Sequence, residues 1–174
     1  MDTIIQGHLD IDNSSLIKRV WDTKFKYDLT GDKPQKHPIY VNMMSSKVNV
    51  ANTYEQEHWA DINPHFWPEM KPIIDTIAAL TDVNTIRHSW LNISKTGGYI
   101  AKHHHDHDGT ATHAVFVYYI HCTSEHSSVE FEIDGVWTEY KCVSGDWLYF
   151  PKRLPHRVAV NNGPADRMSI SINI

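Results

Sequence analysis

Short apolar segments alternate with turn-forming residues over the second half of the chain, and this pattern constrains the fold more than any other feature. The breaks between segments are rich in Gly, Pro, Asn and Asp, whereas the segments carry β-branched and aromatic residues. We predict eight strands, near residues 87–94, 98–105, 113–121, 129–133, 136–143, 146–150, 155–160 and 166–174. Their short, regular spacing is typical of a sandwich or barrel of antiparallel strands.

Helices are expected before this β region. Apolar residues recur at helical spacing within 16–25, directly after Asn13 and Ser14, which suit a helix N-cap. A second amphipathic stretch covers 70–80, with two prolines near its first turn. These helices are predicted to pack on one outer face of the sheet.

Between the two helices the sequence gives weaker signals. Residues 39–43 and 47–51 are predicted to form short strands. Residues 52–67 are rich in aromatic side chains and follow neither the helical nor the strand period. We expect a long loop there, either a lid that faces a substrate or a packing loop.

Length and charge limit the number of domains and the kinds of partner. A chain of 174 residues is predicted to be one domain, 1–174, with a support region at 1–82 and a β core at 83–174. A net charge of −5 without a Lys/Arg cluster argues against general nucleic-acid binding. No apolar run approaches the roughly 20 residues that span a membrane. Because the N-terminus does not resemble a signal peptide, we expect a cytoplasmic protein.

Residues 103–108 read HHHDHD and form the densest group of metal-binding side chains in the sequence. Because side chains alternate along a strand, His103 and His105 are expected to share one face, and His104 and Asp106 the other. Two positions apart on a strand means roughly 6–7 Å between Cα atoms, at ~3.3 Å per residue. Two imidazoles at that separation can bind one metal ion.

A distant third ligand would complete such a site. His156 is the obvious candidate, because it opens a predicted strand directly after a turn bounded by prolines. A cluster of His and Asp can also bind divalent metal adventitiously, or bind nothing. The position of the cluster on a strand and the partner at 156 favour a specific site.

An arginine and a serine on the last strand form a second signal. Arg167 and Ser169 face the same side of this strand, whereas the intervening and following apolar residues face the other. A planar guanidinium beside a hydroxyl is suited to binding a carboxylate. Arg167 could instead pair with Asp166 or Glu139 at the rim, but its place one strand after a candidate metal ligand favours carboxylate binding.

In chain order, these elements resemble the iron(II)- and 2-oxoglutarate-dependent oxygenases, particularly the prolyl-4-hydroxylase-like and small phage or bacterial members. The residues that carry the resemblance lie within 88–174 and are Trp90-Leu91-Asn92, Gly97-Gly98, His103-His104-His105, Tyr118-Tyr119, Gly145-Asp146, Phe150-Pro151, His156 and Arg167-Met168-Ser169. The resemblance implies a double-stranded β-helix, or jelly roll. We therefore expect a mainly β fold with N-terminal helices and about eight antiparallel strands.

The same resemblance implies roles for individual residues. His103 and His156 would bind Fe(II), and Arg167 with Ser169 would hold the distal carboxylate of 2-oxoglutarate. Ascorbate would serve as a reductant.

Two alternatives remain for the second protein ligand. The spacing from Gly97-Gly98 and the face shared with Tyr99 favour His105, which gives the ligand set His103, His105 and His156. The usual site of two histidines and one carboxylate favours a register shifted by one residue, with His104 and Asp106 as ligands.

The resulting hypothesis is a dioxygenase that hydroxylates an unactivated C–H bond of a small molecule or a peptide. Two other classes of protein remain open. One is a cupin-like metal enzyme that does not use 2-oxoglutarate, and a site of three histidines would favour it. The other is a non-catalytic jelly-roll binding module with an incidental histidine cluster. Production of succinate with Fe(II) would separate the main hypothesis from both.

Overall fold

The computed structural model describes residues 3–26, 40–41, 47–52, 63–82, 84, 86, 88–105, 113–123 and 128–174. Within these residues the chain forms ten strands and two α-helices. The elements are β1 (Ile5–His8), α1 (Ser14–Lys26), β2 (Tyr40–Val41), β3 (Lys47–Asn52), α2 (Lys71–Leu80), β4 (His88–His103), β5 (Ala114–His121), β6 (Ser128–Ile133), β7 (Val136–Lys141), β8 (Asp146–Pro151), β9 (His156–Val158) and β10 (Arg167–Asn173). Two short 3₁₀ turns, Pro64–Phe66 and Pro68–Met70, lead into α2.

The strands form one antiparallel sheet that folds back on itself. Its order is β1-β8-β5-β10-β4-β9-β6-β7, and β3 pairs with both β2 and β4. The first half of β4 pairs with β10, whereas its last residues pair with β9. This one strand therefore takes part in both halves of the folded sheet. The arrangement is a jelly roll with N-terminal helices, as predicted.

The long strand β4 corrects one prediction. Segments 87–94 and 98–105 are not two strands, because residues 88 to 103 form one continuous strand through the pair of glycines. Gly97 adopts a φ of 79°, a left-handed conformation that glycine accepts without steric cost, so the strand bends there without turning back. Asn161 bonds to both glycines: its carbonyl accepts from the Gly97 N–H and its own N–H donates to the Gly98 carbonyl, each at 2.8 Å.

Strand β1 was missed by the sequence analysis. It pairs with β8 at one end of the described strand order, and three of its four residues are exposed. A strand of this kind lacks the apolar alternation from which the other strands were predicted.

The helices begin where the sequence predicts them. The Asn13 carbonyl accepts the Ile17 N–H at 2.8 Å, and the Asp12 carboxylate accepts the Ser14 N–H at 2.9 Å. Pro72 lies in the first turn of α2, where its missing N–H costs nothing. No helix among the described residues is long and apolar enough to cross a membrane.

The two faces of the central strands differ in polarity. One face packs against α1 and α2, as predicted, and its buried residues from the sheet and the helices are Leu16, Val20, Met70, Ile73, Ile77, Leu91, Ile93, Phe116, Tyr118, Ile120, Met168, Ile170, Ile172 and Ile174. The opposite face of β10 carries only polar residues, all of them buried: Arg167, Ser169, Ser171 and Asn173. Burying charge and amide groups in this way is costly unless they gain partners, so this inner face is a candidate for binding a ligand.

Candidate metal centre

Three histidines meet at one end of the inner face. His103 is the last residue of β4, and its Cα partner across the sheet is His156, the first residue of β9. His105 follows the end of β4 by two residues, and its backbone N–H donates to the Lys152 carbonyl at 2.9 Å. One imidazole nitrogen from each histidine lies within 4.8 Å of the other two, and the Nε2 atoms of His105 and His156 are 3.3 Å apart.

Backbone carbonyls fix the tautomers of two of these rings. His103 Nδ1 lies 2.9 Å from the Ala101 carbonyl oxygen, and His156 Nδ1 lies 2.9 Å from the Leu154 carbonyl oxygen. Because a carbonyl can only accept, each Nδ1 must carry the proton and donate it. In the neutral rings, Nε2 is left as a lone-pair donor, the arrangement that metal-binding histidines commonly have.

The protonation state of His156 also suits a metal ligand. Burial, followed by the neighbouring His103 and His105 rings, holds the pKa of His156 well below its ordinary value. The imidazole is therefore neutral at pH 7, and it need not release a proton to bind a cation.

Aromatic packing holds the rings in place. Trp90 stacks on His105 with ring centroids 5.4 Å apart, and Phe150 meets His156 edge-on at 4.9 Å. The His105 and His156 rings are nearly parallel, at an interplanar angle of 2°. These contacts restrict the directions in which the ring nitrogens can point.

Arg167 and Ser169 lie deeper on the same inner face. Their Cα partners on β4 are Ser94 and Asn92, respectively, and Ser169 also pairs with Tyr119 of β5. Both are buried, with 3% and 6% of their surface exposed. Burial lowers the pKa of Arg167, and the nearby Tyr119 and two cysteines oppose this effect, but a guanidinium remains charged at pH 7.

Two polar atoms beside this arginine lack hydrogen-bond partners in the part of the chain that the structure describes. Ser94 Oγ and Asn92 Oδ1 are buried and form no hydrogen bond with any described residue. Buried polar groups are nearly always hydrogen-bonded, so these two atoms indicate space for a polar ligand next to Arg167 and Ser169.

The structure brings together the three predicted histidines and places Arg167 and Ser169 on the buried polar face of β10. His103, His105 and His156 form one cluster, and Arg167 and Ser169 lie on the same inner face. The strand-parity argument for His105 was wrong, because β4 ends at His103 and the link to Lys152 positions His105 instead. The roles of all five residues as ligands stay predictions.

Other predictions are only partly covered by the described residues. His104 follows the end of β4 and is partly exposed, whereas its alternative partner Asp106 lies outside the described residues. Most of the predicted loop 52–67 lies outside them too; its end forms the 3₁₀ turn Pro64–Phe66. The two cysteines, Cys122 and Cys142, are buried free thiols.

Sequence reasoning missed several polar residues on the inner face. Ser171 and Asn173 continue the row begun by Arg167 and Ser169, with 7% and 2% of their surface exposed. The sequence contained a pattern that predicts their position, because polar and apolar residues alternate to the end of the last strand.

The donor set of the cluster fits a divalent transition metal. Three neutral imidazoles suit iron, zinc, copper or nickel, and an octahedral ion would keep three positions for other ligands.

Solved structures of similar fold include several oxygenases. A prolyl-4-hydroxylase from Pseudomonas putida superposes with a TM-score of 0.70 at 12% identity, over 99% of this chain and 92% of that one. A viral collagen prolyl hydroxylase from Paramecium Bursaria Chlorella virus-1, solved as a 2OG complex, gives 0.64 at 12% identity over 98% and 94%. The non-heme alpha-ketoglutarate-dependent carbocyclase SnoK from nogalamycin biosynthesis gives 0.68 at 9% identity over 99% and 79%.

These similarities confirm the fold that the sequence resemblance implied. The chain has the fold of the 2-oxoglutarate/Fe(II) oxygenases. No protein-family model and no curated protein matches the sequence.

Proposed function

We propose that this chain, with the fold of the 2-oxoglutarate/Fe(II) oxygenases, is an Fe(II)- and 2-oxoglutarate-dependent dioxygenase. The observation that carries the proposal is the convergence of three imidazole nitrogens within 4.8 Å at one end of a buried face whose other end holds Arg167 and Ser169. Only a ligand with a metal-binding end and a distant anionic end would use both groups.

His103, His105 and His156 would hold the iron. His103 and His156 are suited to this role, since their Nδ1 protons are donated to backbone carbonyls and the lone pair of each neutral ring is then on Nε2. When bound, Fe(II) with 2-oxoglutarate activates dioxygen to oxidise a C–H bond of a substrate.

Arg167 and Ser169 would hold the distal carboxylate of 2-oxoglutarate. Arg167 is buried, and a guanidinium can form a bidentate, charge-assisted pair with a carboxylate there. The nearby Ser94 and Asn92, whose side-chain oxygens lack partners among the described residues, would bond to the ligand or to water around it. The primary substrate would be a small molecule or a peptide, hydroxylated at a C–H bond.

A calorimetric titration of 2-oxoglutarate tests this assignment without turnover. We expect the Mn(II)-loaded protein to bind 2-oxoglutarate, and Arg167→Ala to weaken binding roughly ten- to a hundred-fold, because a charged hydrogen bond contributes about 1.5–3 kcal/mol. Arg167→Lys should recover part of the loss, since an ammonium lacks the guanidinium fork. Ser169→Ala should cost less than Arg167→Ala.

Arg157 provides the matched control. It is an arginine of β9 whose guanidinium binds Glu130 and lies 4.3 Å from the centroid of the Trp137 ring, so its side chain is already paired. Arg157→Ala should leave 2-oxoglutarate affinity unchanged. Equal affinity in Arg167→Ala and the wild type would remove the main support for an oxoglutarate enzyme.

The cupin-like alternative keeps support from one observation. The metal-binding group found among the described residues consists of three histidines and no carboxylate, a donor set that suits metal enzymes of other kinds. A metal-dependent activity without consumption of 2-oxoglutarate would select this alternative.

A further inference from the structure

The polar row on the inner face of β10 extends beyond the proposed 2-oxoglutarate site. After Arg167 and Ser169 it continues through Ser171 to Asn173, the last residue of the strand. Asn173 lies six positions after Arg167, which is roughly 20 Å along a strand at ~3.3 Å per residue. A co-substrate that contacts the arginine therefore leaves the far end of the row for another ligand.

Strand register and ring contacts place Asn173 near the histidine cluster, at the opposite end of the polar row from Arg167. Ser171 is paired with Trp90, the residue that stacks on His105, and Asn173 is paired with His88. Through Val115, Asn173 is also in register with Phe150, whose ring meets His156 at 4.9 Å, so Asn173 lies at the level of the cluster. This is where a substrate would meet the metal once 2-oxoglutarate occupied the arginine side.

The side chain of Asn173 has an unused hydrogen-bond acceptor. Only 2% of the residue is exposed, and its Oδ1 atom forms no hydrogen bond with any described residue. Asn161 shows the contrast: it is also fully buried, but its Nδ2 donates to the Ser94 and Ala165 carbonyls and its Oδ1 accepts from the Gly163 N–H. Asn161 has a structural role, whereas the buried oxygen of Asn173 is suited to a ligand.

The surroundings of Asn173 favour a neutral ligand group. On the β5 side its Cα partner is Val115, which is apolar and buried. On the β4 side its Cα partner is His88, which is also buried. A charged substrate group would lose more solvation than a neutral one on entering such a buried region, so a neutral donor is favoured.

We propose that Asn173 is a substrate-binding residue that accepts a hydrogen bond from a neutral donor, an amide N–H or a hydroxyl, on the primary substrate. The assignment of this donor to the primary substrate rests on the function proposed above. The hydrogen bond itself depends only on the buried oxygen, and the tests below need neither iron nor 2-oxoglutarate.

The first test compares two asparagine variants by thermal unfolding. Asn173→Leu replaces an amide whose buried oxygen has no partner among the described residues with an apolar group of similar size, so its Tm should equal or exceed that of the wild type. Asn161→Leu, the matched control, removes three hydrogen bonds and should lower Tm by about 5 °C or more. A fall in the Tm of Asn173→Leu as large as that of Asn161→Leu would show a structural amide and overturn the proposal.

The second test uses two probes that differ in one donor. The ¹⁵N-labelled full-length protein is titrated with N-methylacetamide, which has an N–H, and with N,N-dimethylacetamide, which has none. The Asn173 side-chain amide signal, assigned by its loss in Asn173→Leu, should shift with the first probe only. Equal shifts with both probes, or none with either, would overturn the proposal.

Repeating the titration with Zn(II) and with EDTA separates this inference from the proposed function. A donor-dependent shift that persists in EDTA would support Asn173 recognition even if Arg167→Ala left 2-oxoglutarate affinity unchanged. Loss of 2-oxoglutarate binding in Arg167→Ala without any donor-dependent shift would uphold the proposed function and reject this inference.

Discussion

At the scale of single residues, His103 and His156 are prepared for a metal by the carbonyl two positions before each of them. The two Nδ1 atoms donate to the carbonyls of Ala101 and Leu154, each at 2.9 Å. His105 is held differently, by the stacked Trp90 ring and by its backbone bond to Lys152. The ligand directions are therefore set before any metal is bound, which reduces the ordering cost of binding.

Removal of one histidine should identify the ligand set. We expect His156→Ala to lower the affinity for Mn(II) or Co(II) by a hundred-fold or more, because losing a ligand exceeds the ten- to hundred-fold cost of losing an outer partner. His105→Ala should behave similarly, whereas His104→Ala should bind metal almost normally. Affinities are measured by calorimetry on the metal-free protein.

The shifted register predicts the reverse pattern. If His104→Ala and Asp106→Ala lose the metal while His105→Ala retains it, the ligands are His104 and Asp106 with His156. Full metal binding by His156→Ala would contradict both registers.

The parts of the site that follow from motif order or from alternation along one strand could be predicted from the sequence. The parts that depend on contacts made only in the folded chain could not. The pairing of His103 with a distant His156, and the shared face of Arg167 and Ser169, followed from motif order and strand alternation. The Trp90–His105 stack could not be predicted, because it depends on how the chain turns after β4. The unpartnered oxygen of Asn173 could not be predicted either, since it depends on every neighbour in the fold.

At the scale of secondary structure, the bend in β4 connects the two ends of the site. The half that pairs with β10 carries Trp90 and Asn92, and the half that pairs with β9 ends at His103. Most strands were predicted because their turns use Gly, Pro, Asn and Asp. The exception was Gly97, where the same residue type bends a strand whose neighbours, β3 and Asn161, supply hydrogen bonds across the bend.

The 3₁₀ turn Pro64–Phe66 docks on the start of β4 and gives the protein a pH dependence. His65 Nδ1 lies 2.6 Å from Ser89 Oγ, and burial together with His88 lowers the pKa of His65 to about 4. As pH falls from about 6.5 towards 4, the unfolded chain binds a proton at this position that the folded chain does not bind. Folding stability is therefore lost over this interval.

The His65→Asn variant should show a shallower fall in the free energy of unfolding between pH 6.5 and 4 than the wild type. A fully buried group would give about 1.4 kcal/mol per pH unit, and because this ring is partly exposed we expect less than about 1 kcal/mol per pH unit. Urea unfolding of both proteins at several pH values measures the difference. Identical slopes would contradict the burial of a neutral His65.

At the scale of the whole molecule, one face of the central strands contributes to stability and the other carries the residues proposed to bind ligands. Their outer face joins α1 and α2 in an apolar core, and their inner face carries the histidines, Arg167 and Asn173. Side chains alternate between these faces, so adjacent residues of β10 serve different purposes. Helical periodicity and strand alternation predicted the two faces, whereas the burial of the whole polar face became evident only from the structure.

Substitution in the helix core should therefore change stability alone. Ile77 of α2 is fully buried, and Ile77→Ala should lower the free energy of unfolding by about 2–5 kcal/mol through lost burial and the cavity that remains. The exposed-face control Ala78→Ser should change it by about 0.5 kcal/mol or less. Calorimetry on the folded variants should give wild-type affinities for Mn(II) and 2-oxoglutarate, and a large loss of either affinity in Ile77→Ala would show that the two faces are coupled.

The most direct measurement of the proposed function is the conversion of 2-oxoglutarate to succinate by the purified protein with Fe(II), ascorbate and dioxygen. We predict succinate formation above the rate of Fe(II) alone, even without a primary substrate, and a return to that background in both His156→Ala and Arg167→Ala. A wild-type protein that binds Fe(II) stoichiometrically but forms no succinate above background, or equal rates in the wild type and both variants, would contradict the proposal.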